Sequence, residues 1–193
     1  MTSPTSPLTS PISAASPWRR LAAYGVDSVV VFIYLLVAVP TLVYGASWPW
    51  PDAPGWTQLL SLFCITLPVV LYFALSEASG RGATLGKRVL GLRVSDLRGE
   101  RLPLRRSLLR SALKFAPWEL AHTASYRLAA SDATEAAAPW HLGVVSLSLL
   151  LAVLFVPSLF WGAQRTPYDR AAGSRVQRYK TSRATRAEVR RLA

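Results

Sequence analysis

Residues Ser28–Pro51 read SVVVFIYLLVAVPTLVYGASWPWP, 24 positions without one charged side chain. Residues Ala53–Ser76, APGWTQLLSLFCITLPVVLYFALS, give another 24, and Ala136–Gln164 a further 29. About 20 apolar residues in helical form cross the hydrocarbon of a bilayer. A soluble domain of 193 residues has no interior that could absorb three such runs. They predict an integral membrane protein, with helices over about 21–45, 57–76 and 142–163. Prolines 40, 68 and 157 fall within or at the ends of these segments. Membrane helices tolerate proline because neighbouring groups satisfy the freed carbonyls.

Outside the runs the chain is strongly basic. It carries 22 Lys and Arg against 10 Asp and Glu, a formal charge of +12, although only 17% of its residues are charged. Such a balance alone would point to nucleic acid, but the positions of the charges point to topology. Residues 77–114 hold ten basic side chains and residues 164–193 hold nine, whereas the linker 46–56 holds none. By the positive-inside rule the two basic segments and Arg19-Arg20 are cytoplasmic and the linker is external. Nucleic acid is therefore not an expected partner. Six of the seven tryptophans lie near predicted helix ends, as an interfacial aromatic belt requires.

Three crossings would leave the basic C-terminal segment outside. Parity calls for a fourth crossing, and the stretch 104–128 has the helical periodicity for it, with Arg106, Arg110 and Lys114 forming a polar stripe. The same periodicity also fits a helix lying flat in the interface. The expected fold class is an all-α membrane protein, a four-segment helical bundle. Between the second and third segments, Arg88–Asp96 reads as a strand, Arg98-Gly99 as a turn and Glu100–Leu104 as its return, a small cytoplasmic β-hairpin. Residues 1–17, rich in Ser, Thr and Pro, read as a disordered cytoplasmic tail. The transmembrane domain covers 18–178, and 179–193 form a basic cytoplasmic tail. The first helix is too long for a cleaved signal and is retained.

Templates for catalysis fail. Gly86-Lys87 lacks the upstream glycine and following hydroxyl of a phosphate-binding loop. His122 and His141 have no partners at metal-ligand spacing, and the lone Cys64 excludes a disulfide framework. No enzyme activity, cofactor or metal is expected. The informative residue is Asp27, because an ionised carboxylate within a membrane helix costs about 2.5–3.5 kcal/mol on insertion scales. It must face the interior as a proton- or cation-binding group, or serve as an anchor for a basic residue. Glu119 and His122, three residues apart on the third segment, are secondary candidates for a polar position.

Arg20-Leu-Ala-Ala-Tyr-Gly-Val-Asp27 resembles the opening motif of the RDD family of membrane proteins, named for one arginine and two aspartates. The segment from Gly82-Ala-Thr-Leu-Gly-Lys87 to Asp96 and Gly99 is similar to the family's Gly-x-Thr-x-Gly-Lys stretch. Tyr168-Asp169-Arg-Ala-Ala-Gly173-Ser-Arg-Val176 is similar to its terminal Asp-x-x-Ala-Gly-Thr-x-Val motif, with Ser174 in place of Thr. The resemblance implies that the family's arginine is Arg20 and its aspartates are Asp27 and Asp169. It also implies a role in transport, since some members are suggested to exchange sodium or potassium for protons. If the first and last helix ends pack together, Arg20 could bridge Asp27 and Asp169.

Two functions follow as expectations. One is ion- or proton-coupled transport using Asp27 and Asp169 as binding carboxylates and Arg20 as their ion-pair partner. The other is a non-transporting scaffold or accessory protein that binds anionic lipid or a protein partner. Expected partners are the bilayer, with anionic headgroups at the basic loops, and a second copy in a homodimer. The expected location is the plasma (inner) membrane, multi-pass, with both termini cytoplasmic.

Overall fold

The structure is a computed structural model, and it describes residues 15–46, 55–129, 139–155, 157–160 and 164–178. The predicted N-terminal tail up to residue 14, the predicted C-terminal tail and most of both external connectors lie outside the described residues.

Helix α1 spans Pro17–Ala46, starting four residues before the expected helix over about 21–45. Pro17 suits a first helical position because its missing N–H would go unused there. The Ser16 hydroxyl caps the turn by accepting from the Arg19 amide at 3.4 Å. Helix α2 spans Trp56–Ala78 and widens into a π turn at Leu62–Thr66. Pro68 explains part of that turn: it offers no N–H to the carbonyl four residues back, which belongs to Cys64. The Tyr34 hydroxyl of α1 donates to that carbonyl, as a chain surrounded by lipid requires.

A short helix α3, Leu85–Val89, follows α2 and leads into strand β1, Leu92–Asp96. Helix α4 is one continuous run over Leu104–Ala129. Helix α5, Pro139–Phe155, continues through a 3₁₀ turn at Pro157–Leu159. Helix α6, Pro167–Ala171, and strand β2, Ser174–Arg178, complete the described chain.

The expected hairpin does not form. β1 pairs antiparallel with β2, in register Leu92 to Arg178 and Asp96 to Ser174. Residues 100–104 are not a strand because the Asp96 carboxylate accepts from the amides of Arg98 and Glu100, at 2.9 and 2.8 Å. Those bonds close a turn, and Leu104 already begins α4. The sheet therefore ties the segment after α2 to the end of the chain. Beneath it lies a small core of Ala15, Ala23, Leu92, Val94, Leu102 and Val176.

Among the described residues three helices are long and apolar enough to cross a membrane, α1, α2 and α5 with its 3₁₀ turn. The fourth predicted segment is a full helix but fails that test, since α4 carries six charged residues. Its position explains how it tolerates them. Ser107 bonds to the Ala74 carbonyl (2.8 Å), Thr66 to Glu119 (2.6 Å) and Gln58 to Thr123 (2.9 Å). Ascending positions on α4 meet descending positions on α2, so the two run antiparallel side by side with polar groups facing inward. On its other side α4 packs on α5, where the Ser148 hydroxyl donates to the Pro117 carbonyl at 2.5 Å. The outward faces of α1 and α5, including Phe32, Ile33, Val37, Leu142, Leu149 and Val153, are exposed. Such faces suit hydrocarbon rather than water.

Candidate functional site: a buried charge lattice and a separate carboxylate

The three motifs meet at one end of the helices. Asp169 occupies α6, where it closes a capping box with Thr166. Its carboxylate is fully buried and accepts from Arg20 of α1 at 2.7 Å and from Arg110 of α4 at 2.8 Å. Arg110 continues the lattice to Glu77 in the last turn of α2, and Glu77 also receives Lys87 of α3. Arg20 further donates to the Gln164 carbonyl. Five charged side chains from five helices thus form one connected group, with neither carboxylate exposed.

Burial opposes charge on each member, and only mutual pairing offsets that cost. Burial pushes the Asp169 carboxyl upward, but the guanidiniums of Arg110 and Arg20 outweigh it and hold the group well below the usual carboxylate range. Burial pulls the Lys87 ammonium down from its ordinary value, against the pull of Glu77 in the other direction. Burial raises the Tyr168 hydroxyl, whose ring stacks 5.1 Å from the Arg110 guanidinium.

Asp27 stands apart from this lattice. Its side chain is 1% exposed, yet none of the ion pairs among the described residues includes it. Its partners are neutral donors: Tyr72 OH of α2 at 2.9 Å, Thr84 Oγ1 at 2.6 Å and the Gly86 amide at 2.8 Å. The Gly-x-Thr-x-Gly-Lys segment supplies two of these three. Gly86 is required there, because a Cβ would lie 2.8 Å from the Asp27 carboxyl carbon and overlap the Ala23 carbonyl. Gly82 opens the same segment at φ +61, a left-handed turn that glycine adopts without strain. The expected bridge from Arg20 thus reaches Asp169 but not Asp27.

Glu119 bonds to Thr66 across α2 and α4. His122 instead stacks between Trp118 and Tyr126, with ring centroids at 4.8 and 6.1 Å. The two share no hydrogen bond or ion pair among the described residues. Sequence reasoning missed Glu77 and Arg110 as members of the lattice. The signal was available: Glu77 is the charge that ends the second apolar run, and Arg110 is central in the polar stripe of α4.

A cavity of about 400 Å³ opens beside these groups, walled by α1, α4 and α5. Its polar lining includes Arg20, Asp27, Lys87, Arg110 and Lys114, and its apolar lining includes Phe115, Trp118, Ala152 and Phe155.

The family model described as RDD family matches residues 14–173 of the chain. No curated protein and no solved structure matches it.

Proposed function

The chain belongs to the RDD family, and we propose that this membrane protein works in transport, with Asp27 taking up and releasing a proton. The observation that carries this role is the separation of tasks among the carboxylates. Glu77 and Asp169 are each tied to two cations and hold helices together. Asp27, equally buried, is held only by neutral donors and lines the cavity. Neutral hydrogen bonds orient a carboxylate without committing it to a permanent counter-ion. Among the described residues no group of three or more His, Cys, Asp or Glu side chains could hold a metal ion, and the ion assigned to Asp27 is the proton. Asp169 is correspondingly assigned to structure rather than to ion binding.

The same proposal includes topology. α4 is the fourth crossing, because it lies along α2 from Ala74 to Gln58. The lattice then sits at the cytoplasmic face of the plasma membrane with both termini. Basic segments on that side contact anionic headgroups, each Lys or Arg contributing about 1 kcal/mol. A homodimer would enlarge the narrow interior of four helices. The protein needs no cofactor and catalyses no covalent reaction.

A scaffold or accessory role is the competing reading, favoured by the amount of side-chain chemistry spent on the lattice alone. Proton flux decides between them. Purified protein in liposomes under an imposed pH gradient should dissipate it faster than empty liposomes, and Asp27→Asn should lose that acceleration. A wild-type protein no faster than empty liposomes, or an Asp27→Asn variant with undiminished flux, contradicts the proton role.

A further inference from the structure

Among the described residues Lys114 makes no ion pair. Its ammonium lies 3.5 Å from the Phe73 ring centroid, 4.9 Å from Tyr24 and 5.1 Å from Phe115. Rings stabilise a cation through their quadrupoles but do not neutralise it. Around the cavity and lattice, Arg20, Lys87, Arg110 and Lys114 face Asp27, Glu77 and Asp169. With all seven ionised, four cations oppose three carboxylates, and the group is left with one uncompensated positive charge.

The cavity beside that charge is amphipathic along its length. From Arg110 to Ala121 it follows three turns of α4, about 16 Å at 1.5 Å per residue. Its cationic end adjoins the lattice, where Phe155 packs on Tyr168, and from there it runs past Ala152 and Phe115 to Trp118 and Ala121 toward the middle of the helices. At about 400 Å³ it falls within the usual range for small-ligand sites, about 300–1,000 Å³. Its long axis follows the helices, as do the acyl chains of a surrounding bilayer.

We propose that this cavity binds a single-chain anionic amphiphile drawn from the membrane, its acidic head at Lys114 and its hydrocarbon chain between α4 and α5. The head supplies the missing negative charge, and the chain fills apolar surface that would otherwise stay open. A free inorganic anion satisfies only the first requirement, and a neutral lipid only the second. The site does not depend on Asp27 carrying a proton, so failure of either proposal leaves the other standing.

The test is equilibrium binding of labelled oleate to the full chain in phosphatidylcholine nanodiscs, with empty nanodiscs as background. Wild-type protein should take up oleate saturably, and oleyl alcohol should compete at least about tenfold more weakly, a difference of roughly 1.4 kcal/mol. Inorganic phosphate should not compete. Lys114→Met should weaken oleate binding by about tenfold or more, and Ala152→Phe, which fills the apolar wall, should abolish it. The comparison of acid with alcohol uses wild-type protein and so survives a Lys114→Met variant that fails to fold. Absence of saturable uptake, equal competition by oleyl alcohol, displacement by phosphate, or undiminished binding by a folded Lys114→Met protein would each overturn the proposal.

Discussion

At the scale of single residues, two buried aspartates, one from the opening motif and one from the terminal motif, behave differently because their partners differ. Asp27→Asn can keep all three contacts: its amide oxygen still accepts from Tyr72 and Gly86, and its NH₂ can donate to Thr84 Oγ1. The melting temperature of that variant should stay within a few degrees of wild type, by thermal unfolding in mild detergent. Asp169→Asn leaves Arg20 and Arg110 buried beside a neutral group, and losing one member of such a network costs about 3–5 kcal/mol. That protein should melt far lower or fail to accumulate. The acid limb follows in sign. Asp169 is held below its ordinary pKa, so its contribution is complete above the unfolded value of about 3.9 and is lost as pH falls below it. Wild-type stability should therefore fall progressively as pH drops below about 4, and the fall should be smaller in Asp169→Asn. The sequence reveals Asp27 and Asp169 by their setting and motif. It does not reveal which of them Arg20 reaches, since that depends on Thr84 and Gly86 occupying Asp27 first.

At the scale of elements, apolar runs locate α1, α2 and α5 because burial in hydrocarbon depends on composition that any reader can count. The sheet escapes such reading. A strand needs only a partner of suitable edge, and β1 finds it at Ser174–Arg178, far along the chain, once Asp96 has closed the local turn. The approach of α1 to α3 is another contact that periodicity cannot encode. Gly86→Ala must push the two apart, and overpacking of this kind costs about 1–3 kcal/mol. Gly143→Ala, where a Cβ meets nothing within 4 Å, is its control and should leave the melting temperature unchanged or slightly raised. Tyr34→Phe removes the donor to the Cys64 carbonyl, and the loss should be about 1 kcal/mol.

At the scale of the whole molecule, the account depends on α4 crossing the bilayer despite its six charges. Arg20 of α1, Glu77 of α2 and Asp169 after α5 share one lattice, so the ends of those helices lie on one face. Two crossings lead from Arg20 to Glu77, and a return to Asp169 needs an even number more. α5 alone supplies one, and in the proposed topology α4, bonded along α2, supplies the other. Lipid-facing composition cannot reveal such a helix, because its polar side is satisfied by α2 rather than by water. The most direct measurement is cysteine accessibility in sealed, right-side-out vesicles, with Cys64 replaced by Ser and single cysteines placed at Asp132 and Arg98. A membrane-impermeant maleimide should label the cysteine at 132 at once and the one at 98 only after permeabilisation. Labelling at 132 that also waits for permeabilisation would put both ends of α4 inside and contradict the four-crossing bundle.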